Sequence, residues 1–281
     1  RQALFFPEKR PFFLDALEQF NVPNQLIYTR AIVNPDAAVK FTGNIGSMNV
    51  GILSAVDEDD YSRTRDDNPI FNILRLRRNV GAQSQLGLVY TDKIDGDDYN
   101  RVAGIDGRFV FRSIYTVSGQ VAGSFWKSPG DKETVPTWEL ALNRGGRRFG
   151  FNAIFEGVHD DFVPGAGFIN RSGVVHSNIS PRLTFYGDRD DRVQSFSTNI
   201  VVDNTWDYQE FEEGIGPDDI KLHFNNNWRL RGGWALGASF LLETFRYPPQ
   251  LYSNYYVIRP ATATTPADTV PFIGRKRIPN Y

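Results

Sequence analysis

The chain of 281 residues carries 31 Lys and Arg against 33 Asp and Glu, a formal net charge of -2, and has no Cys. Disulfides, thiolate metal sites and thiol catalysis are therefore excluded, and so is a broad basic surface for nucleic acid. No run approaches the roughly 18 consecutive apolar residues of a membrane-spanning helix. A mean hydropathy of -0.39 still allows a membrane barrel, whose strands need an apolar residue only at every second position.

In chain order, Arg1 opens without Met or a signal-peptide pattern, so the sequence reads as an internal fragment. Residues 1–36 are expected to be a plug or periplasmic linker. Their Phe5-Phe6-Pro7-Glu8-Lys9-Arg10-Pro11-Phe12-Phe13-Leu14 is too Pro-broken for a strand, and a short helical turn is predicted around 15–20. From 37 to 281 the chain reads as an outer-membrane β-barrel, incomplete at its C-terminus. Side chains on a strand point to opposite faces in turn, and that alternation recurs in segments of about ten residues. In 101–111, Ala103, Ile105, Phe109 and Phe111 oppose Asp106 and Arg108. In 117–125, Val117, Gly119, Val121, Gly123 and Phe125 oppose Ser118, Gln120, Ala122 and Ser124. In 220–231, Ile220, Leu222, Phe224, Trp228 and Leu230 oppose Lys221, His223, Asn225, Asn227, Arg229 and Arg231. Trp234, Leu236, Ala238, Phe240 and Leu242 continue the apolar face.

The connections alternate in length. Short ones are read at 43–46, 79–85, 112–114, 143–148, 187–192 and 231–233, and long ones at 57–69, 92–100, 127–136, 159–176 and 205–218. A meander with tight turns at one end and long loops at the other predicts an all-β fold: a transmembrane antiparallel up-and-down barrel, in a fragment of about twelve strands. The fragment need not close, because the pattern fades into Tyr247-Pro248-Pro249 and 261–268, and further strands are expected beyond Tyr281. A soluble sandwich also alternates, but Greek-key connections mix hairpins with crossovers. Gly- and Arg-rich short turns are assigned to the periplasmic side. Acidic long loops (Asp57-Glu58-Asp59-Asp60, Asp95-Gly96-Asp97-Asp98, Glu210-Phe211-Glu212-Glu213) are assigned to the exterior.

Charged residues in mid-strand are the candidate lumen lining: Arg75, Arg77, Asp106, Arg108, Glu139, Glu156, Arg182, Lys221 and Arg229. Such residues either set what a barrel admits or pair and seal its interior. Asp95, Asp97 and Asp98 are weak Ca²⁺ candidates. They supply hard oxygen ligands but lack the twelve-residue loop spacing, and solvated turn chemistry explains them more simply. No metal and no cofactor is expected. His159, His176 and His223 are too scattered for a ligand spacing, although His159 and His176 bracket one loop and could meet as a hydrogen-bonded pair. There is no nucleophile elbow and no phosphate-cradling loop, and 165–167 reads as a tight turn. The loop acids do not single out a glycosidase pair. No enzyme is expected.

The opening segment 5–14, with Leu26-Ile27-Tyr28-Thr29-Arg30, resembles that of a bacterial outer-membrane β-barrel family of unknown function. Members of that family usually lie C-terminal to a family-nine-like carbohydrate-binding domain. Gly87-Leu88-Val89-Tyr90-Thr91, Tyr99-Asn100-Arg101-Val102-Ala103-Gly104-Ile105-Asp106 and Asp161-Phe162-Val163-Pro164-Gly165-Ala166-Gly167-Phe168-Ile169-Asn170-Arg171 extend the likeness over most of the chain. The resemblance implies a Gram-negative outer membrane and a cell-surface role in transport, anchoring or display. It implies outer-membrane lipid and lipopolysaccharide as surroundings, and glycan handling through a domain outside these residues. It carries no catalytic motif. Two other readings stay open: a soluble secreted carbohydrate-binding protein with an exposed aromatic platform, and a surface glycosidase with carboxylates about 5–10 Å apart in a cleft.

Overall fold

A computed structural model describes residues 4–246, 253–271 and 277–280; the 247–249 stretch where the alternation fades lies outside them. The protein is all-β, with few helices and twelve long strands that follow one another up and down in chain order. They are β1 (Pro35–Ile45), β2 (Met48–Asp57), β3 (Ile70–Val80), β4 (Ser84–Asp95), β5 (Asp98–Phe111), β6 (Tyr115–Ser128), β7 (Asp131–Arg144), β8 (Phe149–Val158), β9 (Val174–Tyr186), β10 (Val193–Asp207), β11 (Asp219–Leu230) and β12 (Ala235–Arg246). The chain divides into two compact units, residues 1–176 and 177–281.

In the first unit β1 to β8 pair antiparallel, each with the next. Among the described residues β1 has β2 as its one strand partner, so the sheet is not closed into a barrel. Two connections expected to be long are tight. β4 runs to Asp95 and β5 starts at Asp98, which leaves Gly96 and Asp97 to turn the chain. Pro129 and Gly130 do the same between β6 and β7. Gly96 (φ +62°) and Gly130 (φ +84°) adopt the left-handed backbone such hairpins need. The charges that read as loop are strand residues. Asp92 and Arg101 stand directly opposite each other, Arg101 Nε 3.2 Å from Asp92 Oδ1, and Lys127 Nζ donates to Asp97 O at 2.9 Å. The long connections of this unit are 58–69 and 159–173.

Residues 4–34 form a ply against one face of this sheet, here the inner face. The ply contains α1 (Pro11–Leu14) and two short 3₁₀ turns, Leu17–Phe20 and Thr29–Ala31. Phe13, Phe20 and Ile32 are buried against Leu53 and Ala55 of β2, Phe71 and Ile73 of β3, and Ala166. Leu26 is buried with Val89, Val102, Ala122, Val135 and Phe162. Each such Val, Leu, Ile or Phe side chain contributes roughly 1.5–3 kcal/mol. The 159–173 loop joins the ply through backbone bonds: Tyr28 N donates to Ala166 O at 2.8 Å and Phe168 N to Gln25 O at 2.9 Å. The outer face keeps the alternate apolar residues. Phe41 (55% exposed), Ile105 (64%), Val121 (57%) and Leu140 (56%) stand on β1, β5, β6 and β7 with no side chain of the unit covering them.

In the second unit β10 pairs with β11 and β11 with β12. The 208–218 connection contains α2 (Tyr208–Glu212), capped by Asp207 Oδ1, which accepts from Gln209 N and Glu210 N at 3.1 and 3.3 Å. No alternating strand is expected after Phe245, yet three short ones occur. β13 (Tyr256–Arg259) and β14 (Asp268–Pro271) form a separate hairpin, and β15 (Arg277–Asn280) pairs with β12. Strands this short carry too few residues for a period to show.

Candidate functional site

Register alone assembles the site. Asn44, Asn49, Arg77, Gly87, Asp106, Gln120, Glu139 and Glu156 occupy successive paired positions on β1 to β8. Paired residues project from the same face, so one polar row crosses the inner face of the whole unit. At its centre is an ion pair with one partner, Arg75, from outside the row. Arg75, two residues before Arg77, reaches across β4 to Asp106. Its Nη1 meets Oδ2, and its Nη2 donates to Oδ1 at 2.9 Å. Both residues are buried, Arg75 at 2% exposure and Asp106 at 7%. The bidentate geometry suits a guanidinium and a carboxylate.

Gly87 makes that reach possible. A Cβ there would strike Arg75 Nη1, Arg75 Nη2 and Asp106 Oδ2. The guanidinium therefore passes through the space a side chain would fill.

The row also holds the ply. Arg75 Nε donates to Asn21 O at 3.1 Å, Arg77 Nη2 to Gln19 Oε1 at 3.1 Å, and Gln120 Oε1 accepts from Asn24 N at 2.9 Å. At the ply's far end Asp57, 1% exposed, accepts from Val33 N and Asn34 N at 2.8 and 2.7 Å. Lys40 Nζ donates to Phe12 O. Within the ply, Glu8 is bound by Arg10 and by the Thr29 hydroxyl at 2.7 Å. Burial pushes the Glu8 carboxyl up, but the Arg10 side chain and backbone, Thr29 and the Lys9 amide outweigh it and hold the pKa at about 2.

The remaining lumen candidates fall in different places. Glu139 and Glu156 face each other on β7 and β8, an unfavourable like-charge pair, with His176 Nδ1 at 3.1 Å from Glu156 Oε1. Arg108 is exposed on the same face and donates to Gln83 O at 3.2 Å beside a short turn. Arg182, Lys221 and Arg229 belong to the second unit. Lys221 Nζ lies 2.7 Å from Asp219 and 3.2 Å from Glu243, while Arg182 and Arg229 are exposed. Around them short polar side chains bond across strands, as Asn178 to Asp203 at 2.9 Å and Asn199 to Ser180 at 3.2 Å.

The three Ca²⁺ candidates sit at one hairpin tip, and the carboxylates of two of them have protein partners. Asp95 accepts from Ser62 Oγ at 2.6 Å and Arg63 N at 3.0 Å, and Asp98 from Arg63 Nε at 2.7 Å. Among the described residues no group of three or more His, Asp or Glu could hold a metal ion. His159 Nδ1 accepts from Asp161 N at 3.2 Å, whereas His176 meets Glu156; His223 lies on β11 of the second unit. Gln120, Gly87, Asp57 and the backbone of Asn21 and Asn24 are site components the sequence did not suggest. Gln120 and Gly87 had a signal, their place on the polar side of an alternating strand, while the ply's backbone groups had none.

In comparison with known proteins, no protein-family model matches the chain, and no curated protein matches it.

Proposed function

We propose that the chain is the barrel region of a larger bacterial outer-membrane protein, non-catalytic, serving transport, anchoring or display at the cell surface, with residues 4–34 as its plug. One observation carries this reading. Across the first unit, large apolar side chains are exposed on the outer face while Arg75 and Asp106 are buried on the inner one. That inverts the order of a water-soluble sheet, and contiguous exposed apolar surface on this scale marks a face that water does not wet. Lipid is the solvent that such a face suits, and the strands inside the sheet, β2 to β7, have their backbone paired on both sides.

The rims support it. At the short-turn end, Arg144 Nε donates to Tyr115 Oη at 3.1 Å and its guanidinium lies 5.1 Å from the Phe149 ring. At the other end, Arg101 lies 4.4 Å over the Tyr99 ring. Aromatic rings with a polar or cationic neighbour are what membrane interfaces favour. The resemblance to a family found beside a carbohydrate-binding domain makes surface glycans the ligands to test first for the full protein.

The test is fractionation after export in a Gram-negative host. The chain should stay in the outer-membrane pellet through alkaline carbonate and need detergent for extraction. Recovery as a monomer in buffer without detergent would defeat the reading.

A further inference from the structure

We infer that a pocket at the long-loop end of the first unit's inner face binds a small ring-bearing carboxylate, with the carboxylate on Lys93 and the ring against Trp126. The pocket encloses about 330 Å³, at the small end of ligand sites and enough for one ring rather than a chain. Its floor is a row of paired positions, Lys93 on β4, Asn100 on β5 and Trp126 on β6. Arg63 from the 58–69 loop, with Val163 and Gly165 from the 159–173 loop, completes it.

The other charged groups around this space, with Asn100 and Trp126, already have protein partners, as Lys127 Nζ has in Asp97 O. Asn100 donates to Val163 O at 2.7 Å and accepts from Gly165 N at 2.6 Å, so it is engaged in holding the loop. Trp126 Nε1 donates to Asp161 O at 3.0 Å, which fixes the indole and leaves its ring as apolar lining. Arg63 is paired with Asp98, and Asp95 takes the Ser62 hydroxyl. Lys93 differs. Its ammonium has no hydrogen bond or ion pair among the described residues. It stands 5.4 Å from the ring of Phe71, which is itself buried.

Lys93 is a half-buried side chain whose ammonium lies beside an aromatic ring with no protein counter-charge, which leaves it open to an anion from solution. The acids at the pocket's far end are already satisfied by Ser62 and Arg63, so the missing partner is an anion. The apolar lining beside Lys93 favours an anion that carries a ring, because an indole offers a stacking face. Two sources share this chemistry, an aromatic acid and a uronic acid. The site goes beyond the membrane reading, since every residue in it belongs to one unit and its floor of Lys93, Asn100 and Trp126 stands on the inner face.

The experiment is calorimetric titration of the detergent-purified full chain with benzoate, glucuronate, glucose and inorganic phosphate. Benzoate, glucuronate or both should bind at one site per chain, which also tells the two sources apart; glucose and phosphate should bind more weakly. Lys93→Met should weaken binding at least about tenfold, the scale of one charge-assisted hydrogen bond, while Lys93→Arg should retain it. Should Lys93→Met fail to fold, Val163→Trp, made at an exposed residue of the pocket's rim, fills the space and should abolish binding by itself. Three results would overturn the inference: no carboxylate binding, equal binding by Lys93→Met, or phosphate or glucose binding as tightly as the ring acids.

Discussion

The polar faces of the two units are built differently, although the same alternation produces both. In the first unit the face is covered: the ply and the 159–173 loop bury Leu53, Phe71, Ile73, Val89 and Val102, and they seal Arg75 and Asp106 from water. In the second unit the described polar face carries Asn, Ser and Thr bonded across strands, and its cation Lys221 keeps a third of its side-chain surface. Tyr208 is the one apolar side chain buried there among the described residues. The difference teaches where energy is concentrated. A polar strand face acquires an apolar core and a high-stakes ion pair only where another segment of chain lies on it.

The sharpest way to break that comparison is to remove one charge from each face. Asp106→Ala leaves the Arg75 guanidinium buried without a partner and should cost about 3–5 kcal/mol. Lys221→Ala removes a partly solvated cation and should cost about 1 kcal/mol or less. Denaturant titration in detergent, followed by limited proteolysis to locate the loss, separates the two; equal effects would end the distinction.

Gly87→Val comes next. Its side chain would displace the guanidinium from Asp106, an overpacking effect of about 1–3 kcal/mol. It should loosen residues 19–24 as well, because Arg75 also holds Asn21. Hydrogen exchange at those amides would show the release, and unchanged protection would mean that Arg75 reaches Asp106 by another route.

A smaller, local effect should follow pH. The folded-state pKa of Glu8 lies below its ordinary value of 4.5, at about 2. Its contribution is therefore complete above about pH 4.5 and is lost as pH falls toward 2. Protection at residues 8–10 and 29, taken relative to the intrinsic exchange rate at each pH, should fall across that window in the natural chain. In Glu8→Gln it should already be low and should not change with pH.

Much of this was legible in the sequence. Ile105 and Val121 fall on the exposed side and Asp106 and Gln120 on the buried side, as the period of two in 101–111 and 117–125 requires. The tips were misread because charge density stood in for loop. Asp92 and Arg101 neutralise each other across a ladder, and the Asp95-Gly96 step is itself a strong hairpin signal. Arg75 and Asp106 were both candidates, but their pairing depends on three strands in register and on an absent side chain at Gly87. Lys93 drew no notice because its meaning lies in what its neighbours already bind.

Which solvent meets the outer face is the central question, and the absence of Cys makes single-cysteine labelling direct. Spin labels at Ile105→Cys, Val121→Cys and Leu140→Cys in reconstituted bilayers should be accessible to oxygen and shielded from a water-soluble nickel relaxant. A label at Arg108→Cys, on the opposite face, should show the reverse. Free access of the nickel reagent to Ile105, Val121 and Leu140 would contradict the lipid-facing assignment.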